Sequence, residues 1–371
     1  MYNYLPTDSD HIRVYGRTVK TVPMPLFWTA SGLEFDTDST ECFIDLECDY
    51  NIREMYLRVE LDGFLIQRFM IPKGRNKYCL FRDMPVGELK TVTVIIEVQP
   101  IQDDHARKLL VYGIETDCVL QPVIDKACKI EIIGDSLTSG EGLTGTSNIM
   151  DWNAGIFGLT GHYGLTVAKH FDAEYSIVSQ SGWGVYCGWD NNIHCNIPAY
   201  YTKVCGVLTD EMNGALGAHD EWDFGTWHPD LIIVNLGTND GASTDSPAWT
   251  DPDTGKTYKQ AQITQEGWEA EPRTRFEDSV VNFLKLIREK NPDTYIIWVY
   301  GMCGPLMEPY IMEAIERYKI ESGDARVWYQ ALPECPEDKL GSHGHPGASH
   351  HQKCADVIIN EINRLGVLKN V

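Results

Sequence analysis

The stretch that decides the fold is Lys129-Ile130-Glu131-Ile132-Ile133-Gly134-Asp135-Ser136-Leu137-Thr138-Ser139-Gly140. Its first five residues are a strand candidate, and the small residues after them predict a tight turn that holds Ser136 at the carboxyl edge of a sheet. Two more apolar runs, 231–236 and 295–300, lack alternation, as expected for strands covered on both faces. Helical stretches lie at 163–171, 273–290, 307–321 and 347–365. Strands alternating with helices predict a mostly parallel sheet in a three-layer α/β/α domain.

The N-terminal third has a different pattern, with short β-prone runs separated by turn residues. The runs are 12–15, 33–35, 42–48, 54–61, 64–71, 77–81 and 91–98. Apolar and polar residues alternate over 55–61, and Asp62-Gly63 then predicts a tight hairpin turn. A chain of 371 residues exceeds the usual size of a single core. We therefore predict a β-sandwich over residues 1–122 and the α/β domain over residues 123–371.

The charge balance excludes some classes of partner. The chain has 31 Lys and Arg against 54 Asp and Glu, a formal net charge of −23. Such a charge repels phosphate backbones and anionic membrane surfaces, which argues against nucleic-acid and membrane binding. A neutral substrate such as an oligosaccharide would feel little of this field.

The cellular compartment is predicted from the N-terminus and the cysteines. Residues 1–18 lack a basic segment followed by an apolar run, and no later stretch approaches the ~20 apolar residues of a membrane span. The 11 cysteines are odd in number and lack framework spacing, which favours reduced thiols over a disulfide scaffold. We therefore expect a cytoplasmic protein.

Ser136 and His345 are the candidate nucleophile and general base. Ser136 follows a predicted strand and begins a predicted helix, where backbone N–H groups can stabilise developing negative charge. His345 lies in Gly344-His345-Pro346, just before the last predicted helix. A hydroxyl needs an adjacent base, and imidazole is the side chain best suited near neutral pH. The alternative is that Ser136 only caps a helix and His345 is a surface histidine.

An oxyanion hole is predicted at the same sheet edge. Asn239 follows the buried run 231–236 and offers an amide donor, and Gly182 offers a backbone N–H with no side chain in the way. The N–H of Ser136 would be the third donor. Turn formation alone explains each of these residues separately but not their joint placement.

The four motifs together resemble the signature blocks of the SGNH (GDSL) hydrolases. They are Gly134-Asp135-Ser136-Leu137, Gly182, Gly237-Thr238-Asn239-Asp240 and His345-Pro346, in that order. Three N-terminal segments are similar to the β-jelly-roll domain of carbohydrate esterase family 2: Tyr15-Gly16-Arg17-Thr18, Leu26-Phe27-Trp28-Thr29-Ala30-Ser31-Gly32 and Leu61-Asp62-Gly63. The resemblance implies an acetylesterase that removes O-acetyl groups from xylan- or mannan-derived sugars with no metal and no other cofactor.

One departure from the SGNH pattern concerns the acid. Most members carry an acid three residues before the histidine, where this chain has Ser342. A Ser136–His345 dyad is one possibility, with a backbone carbonyl or Ser342 orienting the imidazole; the other is an acid from elsewhere, such as Asp338. Family 2 enzymes tolerate a dyad. Loss of the orienting acid from a triad costs about 10⁴ in rate where nothing replaces it, so a catalytically inactive protein is an alternative.

The sequence also contains candidates for a metal site and for a sugar-binding surface. A zinc site is an alternative for the cluster His343, His345, His350, His351 and Cys354, but no second ligand cluster with regular spacing accompanies it, and we predict no metal. Aromatic residues are dense around the predicted site, and flat aromatic side chains suit the apolar faces of sugars. We predict substrate contacts for Trp183, Trp249 and Trp268, with the long segment 241–269 forming part of the rim of the site.

The function predicted from the sequence is carbohydrate O-acetylesterase, with an acetylated oligosaccharide as substrate and a Ser136–His345 acyl-enzyme mechanism. An SGNH esterase or thioesterase for other acyl groups is one alternative. A glycan-binding protein with an inactive hydrolase domain is the other. The sequence does not indicate the oligomeric state.

Overall fold

The computed structural model describes residues 1–368, which form two compact units. The first unit contains Met1–Lys126, Trp152–Gly158 and Thr202–Trp222, and the second contains Ala127–Asp151, Leu159–Tyr201 and the chain from Asp223 on. The predicted boundary after residue 122 lies a few residues before Lys126. The sequence pattern gave no sign that two later segments join the first unit.

The first unit contains two antiparallel sheets, as the N-terminal pattern predicted. One sheet has the strand order β1-β10-β5-β8, with β3 paired to β10, and the other has the order β2-β4-β9-β6-β7. The strands are β1 (Tyr2–Tyr4), β2 (Arg13–Tyr15), β3 (Met24–Pro25), β4 (Gly32–Thr37), β5 (Cys42–Asp49), β6 (Met55–Leu61), β7 (Phe64–Ile71), β8 (Gly74–Phe81), β9 (Lys90–Ile96) and β10 (Lys108–Thr116). The predicted β-sandwich is confirmed.

Alternating burial explains these strands. Along β5, Ile44 and Leu46 are buried in the core while Asp45 and its alternate neighbours are only half-buried, which is the period-2 pattern of a sheet covered on one face. The hairpin predicted at Asp62-Gly63 joins β6 to β7, and both turn residues have positive φ, as a tight hairpin turn of right-handed twist requires.

The second unit is built on a parallel five-stranded sheet with the order β12-β11-β13-β16-β17. Its strands are β11 (Cys128–Gly134), β12 (Ala173–Ser179), β13 (Leu231–Asn235), β16 (Tyr295–Tyr300) and β17 (Val327–Ala331), and a small hairpin adds β14 (Trp249–Thr250) and β15 (Thr257–Tyr258). The helices of this unit are α1 (Ser136–Ser139), α2 (Tyr163–His170), α4 (Thr238–Ser243), α5 (Ala270–Lys290), α6 (Glu308–Ser322) and α7 (Ala348–Leu365); α3 (Glu211–Ala215) belongs to the first unit. The predicted α/β fold, a parallel sheet flanked by helices, is confirmed.

The long helices follow from helical periodicity. In α5, Phe276, Val280 and Leu284 recur every four residues and are buried, while charged residues occupy the other face. Helix α5 ends at Lys290, and Asn291 forms the cap before Pro292, at the stop that the sequence predicted. Within residues 1–368, no helix has both the length and the apolar character needed to cross a membrane.

The sheet register places the motif residues at one edge. Gly134, the last residue of β11, pairs with Ser179 of β12 and with Asn235 of β13. The residues that follow these three strands therefore emerge side by side at the carboxyl edge. This edge is where open α/β sheets hold their ligands.

Candidate active site

Ser136 and His345 meet at the carboxyl edge of the sheet. Ser136 is the first residue of α1, and Asp135 caps this helix by accepting a hydrogen bond from the N–H of Leu137 at 3.1 Å. His345 follows a short 3₁₀ turn, Ser342–Gly344, that leads towards α7. The Nε2 atom of His345 lies 2.8 Å from the Oγ atom of Ser136, although the residues are 209 positions apart in sequence. The structure thus brings the two predicted residues within proton-transfer distance.

The other nitrogen of His345 fixes the orientation of the ring. Its Nδ1 atom lies 2.9 Å from the backbone carbonyl oxygen of His343. A carbonyl oxygen can only accept a hydrogen bond, so Nδ1 carries the proton and donates it. Nε2 is then left with its lone pair facing the hydroxyl of Ser136, which is the arrangement that a general base needs.

The three predicted oxyanion donors lie on the segments that follow β11, β12 and β13. In α1, the N–H groups of Leu137, Thr138 and Ser139 donate to Asp135, so in the described chain the first-turn N–H of Ser136 is left available. Gly182 has a φ of +80°, a left-handed conformation that residues with a side chain rarely adopt. The amide nitrogen of Asn239 donates one hydrogen to the carbonyl of Trp183 at 2.9 Å and retains a second hydrogen.

A buried carboxylate ties two of these segments together. Asp240 accepts hydrogen bonds from the backbone N–H groups of Val185, Tyr186 and Cys187 at 2.9, 2.8 and 3.2 Å. Burial raises its pKa to about 6, against these hydrogen bonds, which lower it. Asp240 follows Asn239 directly, so its contacts fix the loop of Gly182 relative to Asn239. Asp240 belongs to the motif Gly237-Thr238-Asn239-Asp240, but the sequence alone does not indicate this role.

The second buried carboxylate is that of Asp135. It is fully buried next to the nucleophile, and its surroundings raise its pKa to about 7, chiefly through desolvation and also through the nearby charges of Asp240 and Glu141. Its hydrogen bond from Leu137 lowers the pKa and opposes this shift. Asp135 is therefore a structural cap with an unusually weak acidity.

Comparison with known proteins identifies the family. No family model matches the chain. The solved structure of an acetyl xylan esterase, Est2A, from the rumen bacterium Butyrivibrio proteoclasticus is 40% identical, covers 99% of both chains and superposes with a TM-score of 0.96. The chain belongs to carbohydrate esterase family 2. The resemblance drawn from the sequence motifs is confirmed.

Other relatives agree with this assignment. An acetylxylan esterase / glucomannan deacetylase of Cellvibrio japonicus is 25% identical over 365 residues, which is 96% of this chain and 89% of the relative. A solved family two carbohydrate esterase from Cellvibrio japonicus shares the fold, with 20% identity, a TM-score of 0.77 and coverage of 98% of this chain and 97% of that one. The match to another relative, the cellulase/esterase CelE of Acetivibrio thermocellus, spans 26% of its length.

In this family 2 esterase, neither side chain that was predicted as an orienting group reaches His345. The hydroxyl of Ser342 donates to the carbonyl of Thr144 at 2.7 Å, and the hydrogen-bond partner of Nδ1 of His345 is the carbonyl of His343. Asp338 is 73% exposed and pairs with Lys339. The structure therefore supports neither orienting role, and the contact to Nδ1 of His345 is made by a backbone carbonyl, the third possibility that the sequence left open.

A buried carboxylate that the sequence analysis missed lies beside the histidine. The Oε1 atom of Glu141 is 2.6 Å from Nδ1 of His343 and 3.7 Å from Nδ1 of His345. The signal available in the sequence was its position between Gly140 and Gly142, just after the nucleophile helix. These three groups offer ligand atoms within 4.8 Å of one another, but both Nδ1 atoms already take part in hydrogen bonds.

The remaining members of the histidine cluster have other contacts. Nε2 of His350 lies 2.9 Å from the carbonyl of Pro333. His351 is fully buried, which holds its pKa well below the usual value, and Cys354 is a buried free thiol. The cluster suggested by sequence spacing therefore does not converge on one point, because neighbouring residues on α7 face different surroundings.

Burial separates the tryptophans into two groups. Trp183 is only 4% exposed. Trp268 is 7% exposed, packs against Phe276 and Tyr310, and donates its indole N–H to the carbonyl of Ala261. Both side chains leave little surface for a sugar, so the structure does not support either as a substrate contact.

Two other tryptophans keep accessible surface. Trp249, on β14, is partly exposed and packs against His194 and Tyr258, so its role as a substrate contact stays a prediction. Trp189, which was not among the predicted contacts, is 55% exposed. Its backbone N–H donates to the carbonyl of Gly182 at 3.0 Å, which places an exposed aromatic side chain beside an oxyanion donor.

Proposed function

We propose that this chain is a carbohydrate O-acetylesterase that removes acetyl groups from xylan- or mannan-derived saccharides. The observation that carries the proposal is the 2.8 Å contact between Nε2 of His345 and Oγ of Ser136, beside three candidate oxyanion donors. Membership of carbohydrate esterase family 2 and the 40% identity to an acetyl xylan esterase support the choice of substrate.

The first half of the reaction transfers the acetyl group to the enzyme. Nε2 of His345 removes the hydroxyl proton of Ser136 as Oγ attacks the acetyl carbonyl carbon. The carbonyl oxygen becomes an oxyanion, held by the N–H groups of Ser136 and Gly182 and by the amide of Asn239. The C–O bond to the sugar then breaks, and the imidazolium gives its proton to the departing sugar oxygen.

The second half regenerates the enzyme. His345 removes a proton from water, which attacks the acetyl-serine carbonyl through a second oxyanion. The bond to Oγ breaks, Oγ recovers the proton from the imidazolium, and acetic acid leaves. The two halves consume one ester and one water and need no metal or redox cofactor.

The surface chemistry supports a neutral saccharide as partner. The net charge of −23 disfavours polyanionic chains and leaves neutral oligosaccharides unaffected. The exposed indole of Trp189 and the partly exposed ring of Trp249 supply flat surfaces for the apolar faces of sugar rings. We also propose a cytoplasmic site of action on imported oligosaccharides, which the eleven free cysteines support.

The test is release of acetate from acetylated xylo- and manno-oligosaccharides by the parent protein and by Ser136→Ala. We expect turnover by the parent and a loss of about 10⁴-fold or more in Ser136→Ala, because the variant lacks the hydroxyl that His345 holds at 2.8 Å. A Ser136→Ala variant with the parent rate would overturn the mechanism. Faster turnover of octanoyl than of acetyl esters would favour a general esterase. Sugar binding without turnover or labelling by a fluorophosphonate would favour an inactive glycan-binding protein.

A further inference from the structure

We infer that Glu141 is the acid of this active site, a positioning residue that replaces the carboxylate absent at position 342. The inference rests on the proposed function, because it concerns the same histidine base. An acid in a serine hydrolase does two things: it selects the tautomer of the imidazole, and it stabilises the imidazolium that forms during attack. In this chain Glu141 contributes to both effects.

The tautomer is selected by the carbonyl of His343, and Glu141 holds that carbonyl in place. His343 has a φ of +53°, a left-handed conformation that is uncommon for a residue with a side chain. The 2.6 Å hydrogen bond between Nδ1 of His343 and Glu141 anchors the side chain of this strained residue. The carbonyl is thereby directed at Nδ1 of His345, 2.9 Å away.

The backbone around Glu141 is locked to the same turn. The N–H of Ser342 donates to the carbonyl of Gly142 at 3.2 Å, and the N–H of His343 donates to the carbonyl of Ile149 at 2.6 Å. The segments that carry Gly142 and Gly341 approach so closely that a Cβ at Gly341 would lie 2.0 Å from the carbonyl oxygen of Gly142. Glu141 therefore cannot move independently of the turn that carries His345.

The charge of Glu141 acts directly on His345. Its side chain is only 2% exposed, and its Oε1 atom is 3.7 Å from Nδ1 of His345. A carboxylate withdrawn from water interacts more strongly with a nearby imidazolium than an exposed one does. The other titratable groups facing this region are His343, Asp135 and the buried His351. In the described chain, Glu141 is the carboxylate that pairs with a nitrogen of His345.

The experiment compares Glu141→Gln with Asp338→Asn on 4-nitrophenyl acetate across the pH range. The glutamine keeps the shape and can still accept a hydrogen bond from His343, but it removes the charge. We expect kcat to fall about 10- to 100-fold with little change in KM, less than the ~10⁴-fold loss in a triad without its acid, because the carbonyl of His343 still selects the tautomer. Asp338→Asn removes an exposed acid close to His345 in the sequence and is expected to match the parent.

The pH profile gives the second readout. Glu141→Gln removes the buried negative charge beside the imidazolium that forms during attack, so we expect the acid limb of kcat/KM to lie at lower pH than in the parent. Glu141→Asp restores the charge and is expected to return the acid limb towards the parent position. If Glu141→Gln does not fold, Glu141→Asp is compared with the parent instead.

Two results would overturn the inference. One is a folded Glu141→Gln with the parent kcat and acid limb, and the other is a Glu141→Asp whose acid limb is displaced as far as that of the amide variant. Failure of the proposed function is a separate outcome. It would appear as undiminished turnover by Ser136→Ala, or as no turnover by a parent protein that a fluorophosphonate does not label, whatever the Glu141 variants do.

Discussion

Asn239→Ala removes one proposed donor to the oxyanion and tests how much this donor stabilises the transition state. One hydrogen of the amide is bound to the carbonyl of Trp183 at 2.9 Å, and the second is available to an oxyanion. Loss of one such donor costs about 2.7–4 kcal/mol of transition-state stabilisation, so kcat is expected to fall about 10²- to 10³-fold. The N–H groups of Ser136 and Gly182 remain, which is why the loss stops short of full inactivation.

The same substitution has a separate cost in stability. The carbonyl of Trp183 loses its amide partner in a buried environment, which lowers the free energy of unfolding by about 1–3 kcal/mol. Asn213→Ala is a matched control in the first unit, where a buried amide donates to the carbonyl of Arg107 at 3.2 Å and to Asp210 at 2.9 Å. We expect it to lower stability similarly while kcat stays within about two-fold of the parent.

The assay measures kcat and KM for 4-nitrophenyl acetate and for an acetylated xylo-oligosaccharide, well below the unfolding temperature of each variant. KM should change little in Asn239→Ala, because the donor serves an oxyanion that exists only during the reaction. A kcat equal to that of Asn213→Ala, or a loss confined to KM, would refute the assignment of Asn239 to the oxyanion hole.

Two further variants test the sugar surface and the buried acid. Trp189→Ala is expected to raise KM for acetylated oligosaccharides about 2- to 10-fold, which corresponds to roughly 0.5–1.5 kcal/mol of aromatic contact. KM for 4-nitrophenyl acetate should stay unchanged. Equal effects on both substrates would argue against a sugar contact. The pKa of Asp135 is raised from 3.8 to about 7 in the folded protein. The protonated side chain therefore contributes up to about 4 kcal/mol to the free energy of unfolding. This contribution is complete below about pH 4 and is lost as the pH rises to about 7. In Asp135→Asn the free energy of unfolding from urea titrations should therefore fall less steeply over this range, and parallel pH curves for variant and parent would contradict the shift.

The sequence predicted those strands whose environment is uniform. Strands β13 and β16 lie in the middle of the sheet, covered on both faces, and appear in the sequence as continuous apolar runs. Strand β11 also lies in the middle; it contains Lys129 and Glu131, and the small-residue turn at Gly134-Asp135-Ser136 marked its end. Strands β12 and β17 were missed. Both lie at the edges of the sheet, and polar residues such as Glu174 and Gln330 interrupt their apolar runs. An edge strand has one neighbour fewer, so its composition carries a weaker signal.

The tryptophans show a second limit of sequence reasoning. Trp183, Trp189 and Trp268 have the same side chain and lie in similar aromatic-rich segments, yet only Trp189 is exposed. The difference arises from tertiary contacts, such as the packing of Trp268 against Phe276 and Tyr310. A local pattern gives no measure of how much surface the rest of the chain covers, so it could not choose between them.

The acid was missed for a related reason. The family pattern places the acid three residues before His345, where this chain has Ser342, and the sequence left an acid from elsewhere open without indicating Glu141. The two tasks of that carboxylate are divided between two groups that are far apart in the sequence. The carbonyl of His343 selects the tautomer, and Glu141, 202 positions before His343, carries the charge. The alternative of an inactive protein rests on the serine at position 342. Under the proposal for Glu141, neither task requires a carboxylate at that position, so a serine there is compatible with an active base.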